Sequence, residues 1–130
     1  MLELLVFLRG VHYWLSRLGL GAALLMFLSA FFIGVIRGGD VTPRFRKLVY
    51  AVAGLMVVQS VIGAVMYFFL STRPGEEVHL IYGLGMMLAL PFFIFVEKTA
   101  EKRPAMGSYL WGFAVLMGII LRGMMTGAAG

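Results

Sequence analysis

Four long apolar runs, separated by short polar clusters, make up most of the chain. The first spans about residues 11–36, "VHYWLSRLGLGAALLMFLSAFFIGVI", and the second about 48–70, "LVYAVAGLMVVQSVIGAVMYFFL". The third covers about 79–96, "HLIYGLGMMLALPFFIFV", and the fourth about 109–125, "YLWGFAVLMGIILRGMM". A helix needs roughly 17–25 apolar residues to cross a hydrocarbon core about 30 Å thick. The intervening segments carry turn chemistry: Gly-Gly, Asp and Pro in "RGGDVTPRFRK", Pro-Gly in "STRPGEE", and Pro104 in "EKTAEKRPAMGS". The pattern predicts an all-α integral membrane protein with a single domain over residues 1–130. Its four transmembrane helices form an up-and-down four-helix bundle. The opening "MLELLVFLRG" is apolar too, but no small-residue cleavage site follows it. We read it as a short interfacial helix or an outward extension of the first span.

Charge orients the bundle. The first connection holds Arg37, Arg44, Arg46 and Lys47, and the third holds Lys98, Lys102 and Arg103. The second holds only Arg73, beside Glu76 and Glu77. The positive-inside rule puts the first and third connections in the cytoplasm. The expected setting is the bacterial cytoplasmic membrane, with both termini on the outer, periplasmic side.

Composition narrows the function classes. The chain is 62% hydrophobic and 13% charged, against about 45–50% and about 25% in soluble domains. A soluble fold of this length cannot hide so much apolar surface. The net charge of +5 flanks apolar runs, so it marks topology and not a nucleic-acid face. The absence of cysteine excludes disulfides, thiolate metal sites, iron–sulfur clusters and covalent c-type haem attachment. No Walker loop, catalytic triad or zinc-ligand spacing occurs. The mid-membrane portions lack the carboxylates and charge pairs expected of ion or proton pathways.

The two histidines, His12 and His79, open the first and third runs. These runs point the same way, so both histidines lie near the outer face. Neutral imidazoles on facing helices are suitable axial ligands for haem iron. Counting three, four and seven residues beyond His12 gives Leu15, Ser16 and Gly19, and beyond His79 gives Tyr82, Gly83 and Met86. Gly19 and Gly83, with Gly63 one turn beyond Gln59 on the second run, leave room for a macrocycle. Arg9, Arg17, Arg73 and Arg122 lie on the outer side as candidate partners for haem propionates. Residue counts create one tension. Arg37 to His12 is 25 residues, about 37 Å of helix, and Lys98 to His79 is 19, about 28 Å, an offset of about 9 Å. Tilt, a kink near Pro91, or extension of the third helix past Glu97 would absorb it.

The stretch "VVQSVIGAVMYFFLSTRPGEEVHLIYGLGMMLAL", with Gln59, Gly63 and His79, resembles half of a heme A synthase. "HYWLSRLGLG" is similar to the preceding histidine-bearing helix of that family, with His12 in the ligand position. The resemblance implies a b-type haem between His12 and His79. There are departures. The family has two bundles where this chain has one, and Arg9 stands where its catalytic bundle typically carries Glu. Glu76 precedes the other histidine, and the outer-loop cysteines of some members are absent. The resemblance therefore carries over the haem-binding fold and not the synthase chemistry.

The expected function is that of a small b-type cytochrome or haem-bearing subunit of a membrane electron-transport complex. Metal ligands are His12 and His79, the cofactor is haem b, and quinol is a conceivable electron partner. Other membrane subunits, or a second copy, are the expected protein partners, and catalysis by the chain alone is not expected. One alternative is a haem-free accessory or assembly subunit of a respiratory or photosynthetic complex. The small-residue pairs Gly34–Gly38 and Gly123–Gly127 would then mark its helix interfaces. A second alternative is a heme-modifying enzyme, with Glu76 as an acid beside His79.

Overall fold

The computed structural model describes residues 1–99 and 105–128. α1 runs over Leu2–Phe31 and widens into a π-turn at Phe32–Ile36. α2 covers Pro43–Phe68, α3 His79–Thr99 and α4 Met106–Ala128. All four are long and apolar enough to cross a membrane. The protein is an integral membrane four-helix bundle in contact with the bilayer. α1 packs on α2 and α4, and α3 packs on the same two helices. α1 and α3 therefore stand on one diagonal of the bundle, with α2 and α4 on the other.

The spans are longer than the hydropathy pattern suggests. Of the two readings of "MLELLVFLRG", the extension of the first span is the one observed, because Leu2–Gly10 continues α1 without interruption. α2 starts at Pro43, where Thr42 Oγ1 accepts the Phe45 N–H at 3.1 Å and proline occupies the first helical position. α1 stops at Gly38, whose φ of +64° is a left-handed conformation that glycine adopts without strain. α4 begins under Asp40, whose Oδ1 accepts the Ala105 and Met106 N–H groups at 2.7 and 3.0 Å. Those two donors are among the amide groups that a helix start leaves unpaired.

Inward-facing residues follow an alternating spacing of three and four, the period of left-handed bundle seams. On α4 the buried seam is Met106, Tyr109, Phe113, Leu116 and Ile120. On α2 it is Phe45, Val49, Val52, Met56, Gln59 and, two steps further on, Met66. On α1 it is Gly19, Ala23, Met26 and Ala30. Gly19 is a packing residue: a Cβ there would lie 2.6 Å from Met56 Cε. Its anticipated role beside the histidines is corrected accordingly, since it brings α1 close to α2 below the cavity described next.

At the end away from the histidines the core closes on a polar cluster. Glu97 on α3 is only 2% exposed and pairs with Arg46 of α2 through both oxygens, at 2.5 and 3.3 Å. The buried Tyr109 of α4 donates its hydroxyl to Glu97 Oε1 at 2.6 Å. Arg46 and Glu97 thus lie inside helices, where the hydropathy reading had put them in connections. A buried carboxylate is tolerated because its lone pairs are filled. Tyr109→Phe keeps the ring in the core and removes one charge-assisted bond. It is expected to lower stability by about 1.5–3 kcal/mol, measured by denaturant titration in detergent.

Candidate functional site

Following the seams toward the other end, packed apolar side chains give way to histidine, glycine and glutamine. His12 continues the α1 seam two steps before Gly19, and His79 and Gly83 precede Met86 on α3. Gln59 and Gly63 continue the α2 seam, and Gly123 and Gly127 the α4 seam. The two imidazoles face each other across the diagonal, with ring centroids 6.1 Å apart and planes at 79°. The offset expected from residue counts is not realised at the rings. Charged residues were poor rulers of depth: α3 extends past the buried Glu97 to Thr99, and α1 ends beyond a widened turn.

Each ring leans on a glycine of a flanking helix. A Cβ on Gly63 would lie 3.1 Å from His12 Cε1, and one on Gly127 only 2.8 Å from His79 Cε1. Histidine on α1 against glycine on α2 is thus echoed by histidine on α3 against glycine on α4. Gly127→Val is expected to push the His79 ring aside and cost about 1–3 kcal/mol through overpacking, again read by denaturant titration. Gly123 and Gly127 face the bundle's own interior, and a Cβ on Gly34 would lie 2.9 Å from the Met106 side chain. Gly38 forms the turn after α1. Within the chain, Gly34 and Gly127 thus serve packing and Gly38 serves turning.

Polar contacts position the rings. Gln59 Nε2 donates to the His12 carbonyl at 2.7 Å, tying α2 to α1 one turn below Gly63. Ser60 Oγ donates to the Gly83 carbonyl at 3.0 Å, tying α2 to α3. Thr126, fully buried, places Oγ1 3.2 Å from His79 Nδ1. The same hydroxyl lies 2.9 Å from the Arg122 carbonyl and 3.2 Å from that of Gly123. With its proton on that pair of carbonyls, its oxygen is free to accept from His79 in the tautomer that carries hydrogen on Nδ1. That assignment leaves His79 Nε2 with a lone pair. His12 differs. Gln59 is a polar neighbour of its ring, yet His12 Nδ1 and Gln59 Oε1 are buried with no partner at hydrogen-bond distance. Buried polar atoms in a finished core normally have partners.

Beside the rings lies a cavity of about 680 Å³, bounded by all four helices and the start of the 69–78 connection. Gly83 borders it with no atom within 4 Å of where a Cβ would stand. Arg9, Arg17 and Arg73 lie on its rim. Arg17 stacks on Tyr13, with its guanidinium carbon 3.5 Å from the ring centre. Arg73 donates to Tyr67 Oη at 3.1 Å and pairs with Glu77 at 3.3 Å. Arg122 does not border the cavity, and instead sits over the Tyr82 ring at 5.8 Å. Glu76 is also outside the cavity: it is exposed, and its backbone N–H bonds the Thr126 carbonyl. The sequence does not single out Thr126, and it marks Gly127 only as half of a small-residue pair for a helix interface. Their signal was the phase of the α4 seam, since α4 has no histidine from which to count. Among the described residues no group of three or more His, Cys, Asp or Glu could hold a metal, so any ion here would rest on the histidine pair and a further donor such as a macrocycle.

Fold and site together define an integral membrane four-helix bundle with two histidines facing each other beside a cavity near one end. No family model, curated protein or solved structure matches the chain.

Proposed function

We propose that the protein is a small b-type cytochrome, the haem-bearing member of a membrane electron-transport complex, with His12 and His79 as axial ligands. The observation that carries this reading is the spacing of the rings. A metal–imidazole bond is about 2.0–2.1 Å, and a ring centre lies about 1.1 Å behind its nitrogen. Two imidazoles bound to one ion from opposite sides therefore stand about 6.2–6.4 Å apart at their centres. The observed separation is 6.1 Å. The cavity volume of about 680 Å³ falls within the range of about 300–1,000 Å³ typical of cofactor and ligand sites. Glycine against both rings and an open face at Gly83 suit a flat ligand that reaches the backbone. The resemblance to one half of a heme A synthase points the same way.

A haem held there supplies a one-electron couple. The protein's residues do the rest. His12 and His79 would hold the group from its two sides, an arrangement that suits electron transfer. Arg9, Arg17 and Arg73 at the rim offer cations to carboxylate substituents. Met66, Met86 and Ile120 give the cavity apolar walls beside the rings. Arg37, Arg44, Arg46, Lys47 and Lys98 gather at the opposite end of the bundle, which supports a cytoplasmic position for that end and an outer-face position for the histidines. Electrons would then be exchanged with quinol or with another subunit near the outer surface.

The test is a reduced-minus-oxidised visible spectrum of protein purified from cells supplied with haem. A low-spin spectrum is expected. A folded protein that stays colourless overturns the proposal and favours an accessory role.

A further inference from the structure

The two histidines are not equivalent. His79 is held from behind by a buried hydroxyl, whose own proton is committed to the carbonyls of Arg122 and Gly123. Behind the His12 ring the polar neighbour is Gln59, and neither its Oε1 nor His12 Nδ1 has a partner at hydrogen-bond distance. A hydrogen bond on the distal nitrogen fixes the tautomer and orientation of a ligating imidazole and raises its basicity, and losing one typically lowers metal affinity by about 10–100-fold. The backbone adds to the contrast. The 69–78 connection is stitched to the end of α4 by Glu76 N–H to the Thr126 carbonyl, 2.9 Å, and Gly75 N–H to the Gly127 carbonyl, 3.3 Å. His79 follows directly on that stitched segment, and its N–H bonds the Glu76 carbonyl at 3.0 Å.

We infer that Thr126 is a positioning residue that makes His79 the permanent axial ligand, and that His12 is the exchangeable one, giving small neutral diatomic molecules a binding position on the His12 side. This rests on the haem reading above and deepens it. The exchange would involve no redox change: His12 would leave with its lone pair, and the incoming molecule would donate its own pair in its place. His12 and Gln59 both border the cavity, and His12 Nδ1 has no hydrogen bond to break.

The experiment uses the full chain in detergent, with carbon monoxide as the probe of the chemically reduced protein. His12→Ala is expected to keep its haem through gel filtration, to become high-spin, and to bind carbon monoxide at least about tenfold faster than the parent. Added imidazole is expected to restore its low-spin spectrum. His79→Ala is expected to lose haem on the column. Thr126→Val is expected to bind haem about 10–100-fold more weakly, and Thr126→Ser to restore the affinity, with circular dichroism unchanged in both. Equal haem loss from the two histidine variants overturns the inference, as does better retention by His79→Ala. An unchanged affinity in Thr126→Val, or no rescue by serine, also overturns it. A colourless parent protein refutes the haem reading itself, and this shows before any variant is compared.

Discussion

Replacing either histidine by alanine is expected to abolish the low-spin haem spectrum entirely, leaving helix content unchanged. A low-spin iron of this kind needs both axial nitrogens, and the described chain has no third histidine to substitute. The two rings stand at the outer limit of the packed seam, where α1 and α3 continue as helices in either direction or begin. Their truncation therefore removes donors without unpicking the core formed by Met56, Leu90, Phe113 and Leu116. The measurement is the visible spectrum of each purified variant beside its far-ultraviolet circular dichroism. A variant that kept the low-spin bands would show that the iron is held elsewhere or not by this pair.

The largest loss of stability is expected from Glu97→Ala. Glu97 is buried and receives Arg46 and Tyr109 together. Removing it leaves the Tyr109 hydroxyl unbonded in the core and takes the carboxylate from the Arg46 guanidinium. Breaking a buried ion pair from one side costs about 3–5 kcal/mol. Arg46 is partly exposed, with 36% of its side chain accessible, so solvent screening draws the figure toward about 3 kcal/mol. Glu97→Gln retains acceptor capacity for Tyr109 and is expected to lose less. Denaturant titrations of the three proteins in one detergent give the order. Equal midpoints would mean that the cluster contributes nothing to folding.

Much of this architecture was legible from hydropathy, because four apolar runs with turn residues between them leave few alternatives. The element ends were less legible. Arg46, Glu97 and Lys98 read as loop by their charge, but Arg46 and Glu97 pair with each other inside helices. The inward faces were hidden for another reason. In a bilayer the outward face is also apolar, so hydrophobic periodicity loses its contrast. Trp14, Leu25, Phe92 and Trp111 point outward as apolar as anything inside. Counting from a polar anchor worked where one existed: His12 and His79 gave the phase of α1 and α3, and placed Gly83 at the cavity. The same counting assigned Gly19 to the site, although its spacing places it a turn too deep, against Met56. α4 offered no anchor, so Thr126 went unseen and Gly127 was placed at a helix interface and not beside His79.

The polar cluster at Glu97 has a mechanical consequence. Side chains from α2, α3 and α4 are bolted together there, and Asp40 fastens the start of α4 to the turn that follows α1. All four rods are thus clamped at one pole, while the opposite pole is spanned mainly by single bonds from Gln59, Ser60 and Thr126. The bundle should splay like a tuning fork held at its stem. Amide deuteration should run fastest around Gly63 and Gly83 and slowest around Val49 and Phe113, so a flat guest would slip in between the tines without the stem loosening.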